Sequence, residues 1–483
     1  MAFANKRSGL IFALLATVTT ALLAYFGTGL FPVWPLMWFA PIPVLLFASS
    51  SSWWAATLVA FCAWLLGGLN LLHYFNSLLH LPPTVQAIIF AVPSLLFAIS
   101  VLSFRSLVRR EAWWSAALAF PAAWVSFEYV GNLLSPHGTG GNLSYSQLSF
   151  LPFLQLASVT GPWGMSFLLM LFAAALVVSI GARRTSPRQA WRILGASWGA
   201  VALVMIFGGI RLSSNQPGLR VKVGLIASDE AGNADVAAAG TDAERLFHAY
   251  GIEVEALASR GAQVIVLPEK LAVVLATESG KTDSFFQSIA DKTQVMLVVG
   301  MVYVDGPVKY NRARVYTPHA PVQSYDKHHM LPPFESNLKP GTSVFTTSKP
   351  SGTWGVAICK DMDFTPLSRQ YSNAGAGLML VPAWDFVLDR FSHGHIAVMR
   401  GVEDGFSIAR AAKQGFLTVS DDRGRVLAET RSNSSPFATL LADVPAGHEK
   451  TIYSQLGDWF AWVALVILAL TLAQLFRKPV PVN

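Results

Sequence analysis

Acidic side chains are nearly missing from the first 212 residues, where only Glu111 and Glu128 occur. A segment so poor in ionisable groups has little with which to bind a polar cargo, which argues against a transporter. Cysteine is equally scarce: the chain holds Cys62 and Cys359 and no other. Cys62 lies inside a long apolar run, so an intrachain disulfide would require it to leave that run. Charged residues make up only 13% of the 483, against 53% hydrophobic. That is too apolar for a soluble globular protein and points to a membrane protein. No internal repeat and no low-complexity segment is visible.

Crossing the hydrocarbon core takes roughly 20 apolar residues. Spans are expected at 9–27, 31–49, 53–75, 84–104, 112–130, 161–182 and 193–211, with an eighth at 457–476. The second, carrying Pro32, Pro35, Pro41 and Pro43, is expected to be kinked or short. The first begins with Lys6-Arg7 but lacks a small-residue cleavage site, so it reads as an anchor rather than a signal peptide. Arg105, Arg109 and Arg110 follow span four. Arg183, Arg184, Arg188 and Arg192 lie between six and seven, and Arg477-Lys478 follow eight. The alternate loops near 28–30, 76–83 and 131–160 hold no Lys or Arg. The positive-inside rule then puts both termini in the cytoplasm and residues 213–455 on the outer side. The formal net charge of +7 comes largely from the cytoplasmic loops, so it speaks for topology and not for nucleic-acid binding.

Residues 220–450 have ordinary soluble composition. Strands are expected at 221–227, 264–267, 295–304, 354–359, 377–382 and 414–420, and helices at about 238–260, 282–292 and 394–412. Short apolar runs separated by helices describe strands buried on both faces of an α/β sandwich. Glu269, Lys327 and Cys359 each end such a strand, and strand ends on one sheet edge converge on a common site. Their chemistry is complementary. A carboxylate takes the thiol proton, the thiolate attacks an acyl carbon, and the ammonium stabilises the oxyanion. An unpaired extracytoplasmic cysteine also needs a use, because exported cysteines usually pair.

Leu267-Pro268-Glu269, Tyr325-Asp326-Lys327-His328 and Ala357-Ile358-Cys359-Lys360-Asp361 together resemble the nitrilase superfamily, with its Glu–Lys–Cys triad in an αββα sandwich. Set between seven N-terminal helices and one C-terminal helix, the chain as a whole resembles the apolipoprotein N-acyltransferase family. The implied fold is α/β plus membrane all-α. Residues 1–212 form a seven-helix transmembrane domain, 213–455 an extracytoplasmic catalytic domain, and 456–483 a last helix with a short cytoplasmic tail. The resemblance implies catalytic Glu269, Lys327 and Cys359, supporting Glu335 and Asp361, and substrate contacts from Trp384, Phe386, Glu128 and Tyr145. Leu148–Leu156 with Trp163, Phe386 and Phe391 are candidates for a lipid entrance.

The implied activity is N-acylation of the diacylglyceryl-cysteine at an apolipoprotein N-terminus, with a phospholipid donor and a Cys thioester. The implied setting is the bacterial cytoplasmic membrane, with a monomeric enzyme and no metal or cofactor; His393 and His395 are two apart and do not suit chelation. A membrane-tethered amidase or nitrilase with water as acceptor is the alternative. The family usually has an aromatic and a glutamate after its cysteine, where this chain has Lys360-Asp361. Asp385 interrupts the family's Ala-Trp-Phe-Gly type of element within Ala383-Trp384-Asp385-Phe386, and Arg410-Ala411-Ala412-Lys413-Gln414-Gly415 carries lysine where the family commonly has asparagine. Lys360 either lowers the thiol pKa or points to solvent, with solvent the expectation.

Overall fold

The computed structural model describes residues 6–214 and 219–476. The Lys6 side chain and the Arg477-Lys478 pair used in the topology argument lie outside the described residues. The chain divides into two compact units. One comprises Met1–Leu134, Gly141–Leu212 and Asp458–Asn483; the other comprises Ser135–Gly140 and Ser213–Gly457. The segment Ser135–Gly140, expected within the helical domain, thus groups with the catalytic unit.

Among the described residues of the helical unit five helices are long and apolar enough to cross a membrane: Arg7–Gly27, Trp53–Ser77, Pro83–Val108, Ala157–Ala182 and Pro187–Ser213. The second expected span is broken. Trp34–Phe39 and Ile42–Ser50 are separate helices, each with proline in its first turn, because proline has no N–H to continue the preceding ladder. Trp113–Leu134 and Trp459–Phe476 complete the unit's longer helices. Trp163, a candidate for the lipid entrance or for the core, is fully buried. Its indole donates to Asp458 at 2.8 Å, and its ring meets Tyr129 edge-on.

The second unit is a two-sheet sandwich. Its strands are β1 (Arg220–Ala227), β2 (Val264–Val266), β3 (Val273–Leu275), β4 (Met296–Asp305), β5 (Val308–Tyr316), β6 (Gln323–Asp326), β7 (Phe345–Lys349), β8 (Gly352–Val356), β9 (Ala376–Trp384), β10 (Ser407–Lys413), β11 (Phe416–Ser420), β12 (Val426–Arg431) and β13 (Ala438–Pro445). One sheet runs β13-β1-β2-β4-β5-β6, with β3 also paired to β4; the other runs β12-β11-β10-β9-β8-β7. Alternation explains the layers. Val221, Val223, Leu225 and Ala227 of β1 enter the core shared with the second sheet, whereas Ile226 joins the core beneath the helices Thr241–Ser259 and Ser279–Thr293. Helices Thr365–Asn373 and Arg390–Asp404 pack on the other sheet, giving an αββα order.

Two expected elements need correction. The helix placed at 394–412 ends at Asp404, where Gly405 turns with φ 74°. Ser407–Lys413 are β10, an all-buried strand whose alanines, arginine and lysine read like a helix continuation. The strand placed at 354–359 stops at Val356, and Cys359 begins a short 3-10 turn, Cys359–Asp363.

Candidate active site

Glu269 leaves β2 through Leu267-Pro268 and is 1% exposed. Its turn presses so close to β4 that a Cβ on Gly300 would lie 2.3 Å from the Pro268 carbonyl, so only glycine fits there. The next residue, Lys270, has φ +50°. Lys327 follows β6, and its backbone N–H donates to the Asn311 carbonyl at 2.9 Å. The Lys327 ammonium donates to Glu269 Oε1 and to Glu335 Oε2, each at 2.8 Å. Glu335 also accepts from Lys270 Nζ at 2.7 Å and from the Leu331 N–H at 2.9 Å. The Asn311 amide joins the carboxylates, donating to Glu269 Oε1 at 2.5 Å and to Glu335 Oε1 at 2.8 Å. The cluster is therefore two carboxylates and two ammoniums, closed by one amide.

Electrostatics follow from this balance. Burial alone would lower the Lys327 pKa, but Glu269 and Glu335 outweigh it and hold the ammonium well above its usual range. Burial would raise Glu335, and Lys327 with Lys270 more than reverse that, holding it below the usual carboxylate range. Two of the three Lys327 N–H groups are engaged by carboxylates, which leaves one for an oxygen that develops charge.

Cys359 sits at the head of its turn with φ +46°, a strained conformation for a non-glycine residue. Its thiol donates to the Trp384 carbonyl at 3.5 Å. Burial and then Glu269 push the thiol pKa up, more than Lys327 and Arg410 pull it down. The resting group is a neutral thiol, so attack requires a base. Asp361 secures the turn. Fully buried, it accepts from the Ile358 N–H at 3.1 Å and the Tyr325 hydroxyl at 2.7 Å. It also accepts from the N–H groups of His328 (3.1 Å) and His329 (2.9 Å). It therefore ties the cysteine turn to the lysine loop.

Lys360, expected in solvent, is buried at 5% exposure, and its ammonium donates to His137 Nδ1 at 2.8 Å. Thr139, in the strap Ser135–Gly140 that groups with this unit, also donates, through its N–H and its hydroxyl, to the Asp363 carbonyl at 3.1 and 2.8 Å. Asp385, the other departure, pairs through both oxygens with Arg410 on the neighbouring strand. Trp384 is half-buried, its indole donating to Gln414 Oε1 at 3.2 Å. Phe386 is half-buried, with its ring 5.5 Å from the exposed Phe334.

Glu128 and Tyr145 belong to the helical unit. The Glu128 carboxylate accepts from the Trp124 indole (2.9 Å), the Asn142 amide (3.1 Å) and the Leu143 N–H (2.7 Å). Tyr145 is buried in the short turn Leu143–Gln147. Sequence reasoning missed Lys270 and Asn311, and noted Lys413 only as a departure from the family pattern. A signal existed for Asn311: in β5 it precedes Ala313 and Val315 at the inward spacing, where an amide is out of place.

Two family models match the chain. One for the apolipoprotein N-acyltransferase N-terminal domain covers residues 20–175, and one for carbon-nitrogen hydrolases covers 228–456. An apolipoprotein N-acyltransferase of Geobacter metallireducens is 27% identical, over 92% of this chain and 91% of that protein. A second, apolipoprotein N-acyltransferase 2 of Treponema denticola, is 23% identical over 86% of this chain and 84% of its own. Among solved structures, an amidase from Nesterenkonia sp. aligns with 50% of this chain and 94% of its own, at 21% identity and a TM-score of 0.42.

Proposed function

Because the chain belongs to the apolipoprotein N-acyltransferase family, we propose that it completes lipoprotein acylation by a ping-pong reaction through Cys359. It is a membrane enzyme that N-acylates apolipoproteins; the donor is a phospholipid and the acceptor the free α-amine of an N-terminal diacylglyceryl-cysteine. The observation that carries the mechanism is the neutral Cys359 thiol in the electrostatic field of Glu269, whose carboxylate is fixed by Lys327 and Asn311.

In the first half-reaction Glu269 takes the thiol proton as sulfur attacks the donor's ester carbonyl. The oxyanion is met by the remaining N–H of Lys327. The tetrahedral species expels the lysophospholipid alkoxide, which receives the proton from Glu269, and a Cys359 thioester remains. In the second half the acceptor amine attacks that thioester and gives its proton to Glu269. The amide forms, and the departing thiolate takes the proton back. Glu335 holds Lys327 and Lys270 in place, and Asp361 fixes the turn. Phe334 and Phe386 offer an apolar rim for an acyl chain, with the Trp384 carbonyl holding the resting thiol. We assign Glu128 to bracing the Asn142-Leu143 segment, with Tyr145 in the turn beyond it.

The basic clusters around the spans support a catalytic unit on the extracytoplasmic side of the bacterial cytoplasmic membrane with both termini cytoplasmic, and a monomer is the form the family resemblance implies. Incubating purified protein with labelled phospholipid should acylate Cys359, and a diacylated lipopeptide should then remove the label as an amide. Absence of the thioester would sink the mechanism, and a thioester discharged only by water would indicate a hydrolase. Cys359→Ala should insert normally and form no adduct.

A further inference from the structure

Lys413 is the last residue of β10 and lies opposite Trp384, the last residue of β9, in parallel register. Residues paired in this way project from the same face of a sheet. The Lys413 side chain is fully buried, yet no carboxylate among the described residues forms an ion pair with it. Its ammonium stands 3.7 Å from the centre of the Trp384 ring and donates to the Lys270 carbonyl at 3.2 Å. Both contacts lead to the site. The Trp384 carbonyl accepts the Cys359 thiol, and Lys270 follows Glu269 in a left-handed turn. A buried charge is costly unless it is compensated, and here the compensation is an indole face and one carbonyl. Burial lowers the amine to about 7, with Glu269 pulling the other way.

We propose that Lys413 is a positioning residue for the acylation step: by clamping Trp384 to the Glu269-Lys270 turn, it holds the carbonyl that restrains the thiol and the carboxylate that deprotonates it in one geometry. The inference rests on Cys359 being the nucleophile, but not on the identity of the acyl donor. On this view the Lys413 ammonium touches neither substrate nor sulfur and acts through its two neighbours.

The test uses the full-length protein in detergent, in a Cys62→Ala background so that Cys359 is the only thiol. Two rates are measured: alkylation of Cys359 by iodoacetamide, and single-turnover thioester formation against phospholipid concentration. Lys413→Met should slow alkylation at least fivefold and saturated acylation at least tenfold, while the half-saturating lipid concentration changes less than threefold. Lys413→Arg, which keeps a cation over the ring, should restore both rates to within threefold of wild type. In a Trp384→Leu background, Lys413→Met should change either rate less than twofold, because the clamp is already gone. Equal rates for Lys413→Met and wild type would overturn the inference, as would fully multiplicative effects of the two substitutions. Thermal unfolding checks each variant. If Lys413→Met fails to fold, Lys413→Asn, which keeps a donor but no charge, is expected to be as slow and would refute the idea by matching wild type. If phospholipid acylates no variant while alkylation still separates them, the positioning role stands and the donor assignment falls.

Discussion

Replacing Asn311 by aspartate keeps the side chain's shape and exchanges the amide that bridges Glu269 and Glu335 for a third carboxyl group. If ionised, the new carboxylate would face two others at hydrogen-bond distance. Each like-charge contact at about 3 Å costs about 5 kcal/mol at an effective dielectric of 20, before Lys270 and Lys327 offset part of it. Taking up a proton is cheaper. For a group with an ordinary pKa near 3.9, staying protonated at pH 7 costs about 4 kcal/mol. The folded-state pKa of this aspartate is therefore raised, and the native protein binds a proton that the unfolded chain has released. Stability must then fall as pH rises above about 4, by about 1.4 kcal/mol per unit. A protonated acid also donates one hydrogen bond where the amide donates two, a pH-independent loss of about 2 kcal/mol. Relative to wild type, Asn311→Asp should lose about 2 kcal/mol near pH 4 and about 6 kcal/mol at pH 7. Urea unfolding of the detergent-solubilised protein, followed by pulse proteolysis at several pH values, reads this difference directly. Asn311→Ala serves as the comparator and should show a flat deficit. A flat deficit for Asn311→Asp as well would refute the claim that the Asn311 amide bridges the Glu269 and Glu335 side chains.

Asp361→Asn should destabilise the catalytic unit by about 3–5 kcal/mol, since an amide cannot accept from all four donors and two buried N–H or O–H groups lose a charged partner. Its signature in limited proteolysis should be early cleavage of the lysine loop. Gly415→Ala should be as costly, about 3–5 kcal/mol, because the new Cβ would fall 2.3 Å from Asp385 Oδ2 and force apart the buried Asp385–Arg410 pair; an unchanged unfolding midpoint would contradict the packing described. Burial, then Lys360, lowers the His137 pKa to about 4, so below about 6.5 the unfolded chain binds a proton that the folded one refuses. Wild-type stability should therefore drop as pH falls from 6.5 through 4, and His137→Asn should flatten that slope in unfolding measured across the window.

The sandwich was legible where local signals agreed. β4 and β9 are almost wholly apolar runs and β1 is broken only by Lys222 after its first residue, and the places of Glu269, Lys327 and Cys359 just beyond strands follow from the residues before them. β10 was not legible, because a strand buried on both faces has no alternation to separate it from the preceding helix. The site's accessory residues were hidden for another reason. Asn311, Lys270 and Lys413 reach the cluster only through strand register and turns, which bring together positions 269, 311, 335 and 413 that no local pattern connects. Lys360 misled for the same reason. A lysine beside a loop reads as solvated until its partner, His137, is supplied from more than two hundred residues away.

That last partnership bears on how the catalytic unit can be handled. Ser135–Gly140 belongs to it, although the chain on either side does not, so the polypeptide passes between the two units four times rather than twice. A fragment cut at residues 213 and 457 would leave its own strap behind. It would expose the buried Lys360 and strip the Asp363 carbonyl of both Thr139 donors, one turn from the nucleophile. The hydrolase-like half of this chain is a fold one can draw alone, but its covalent boundary runs through a loop that a linear dissection would discard.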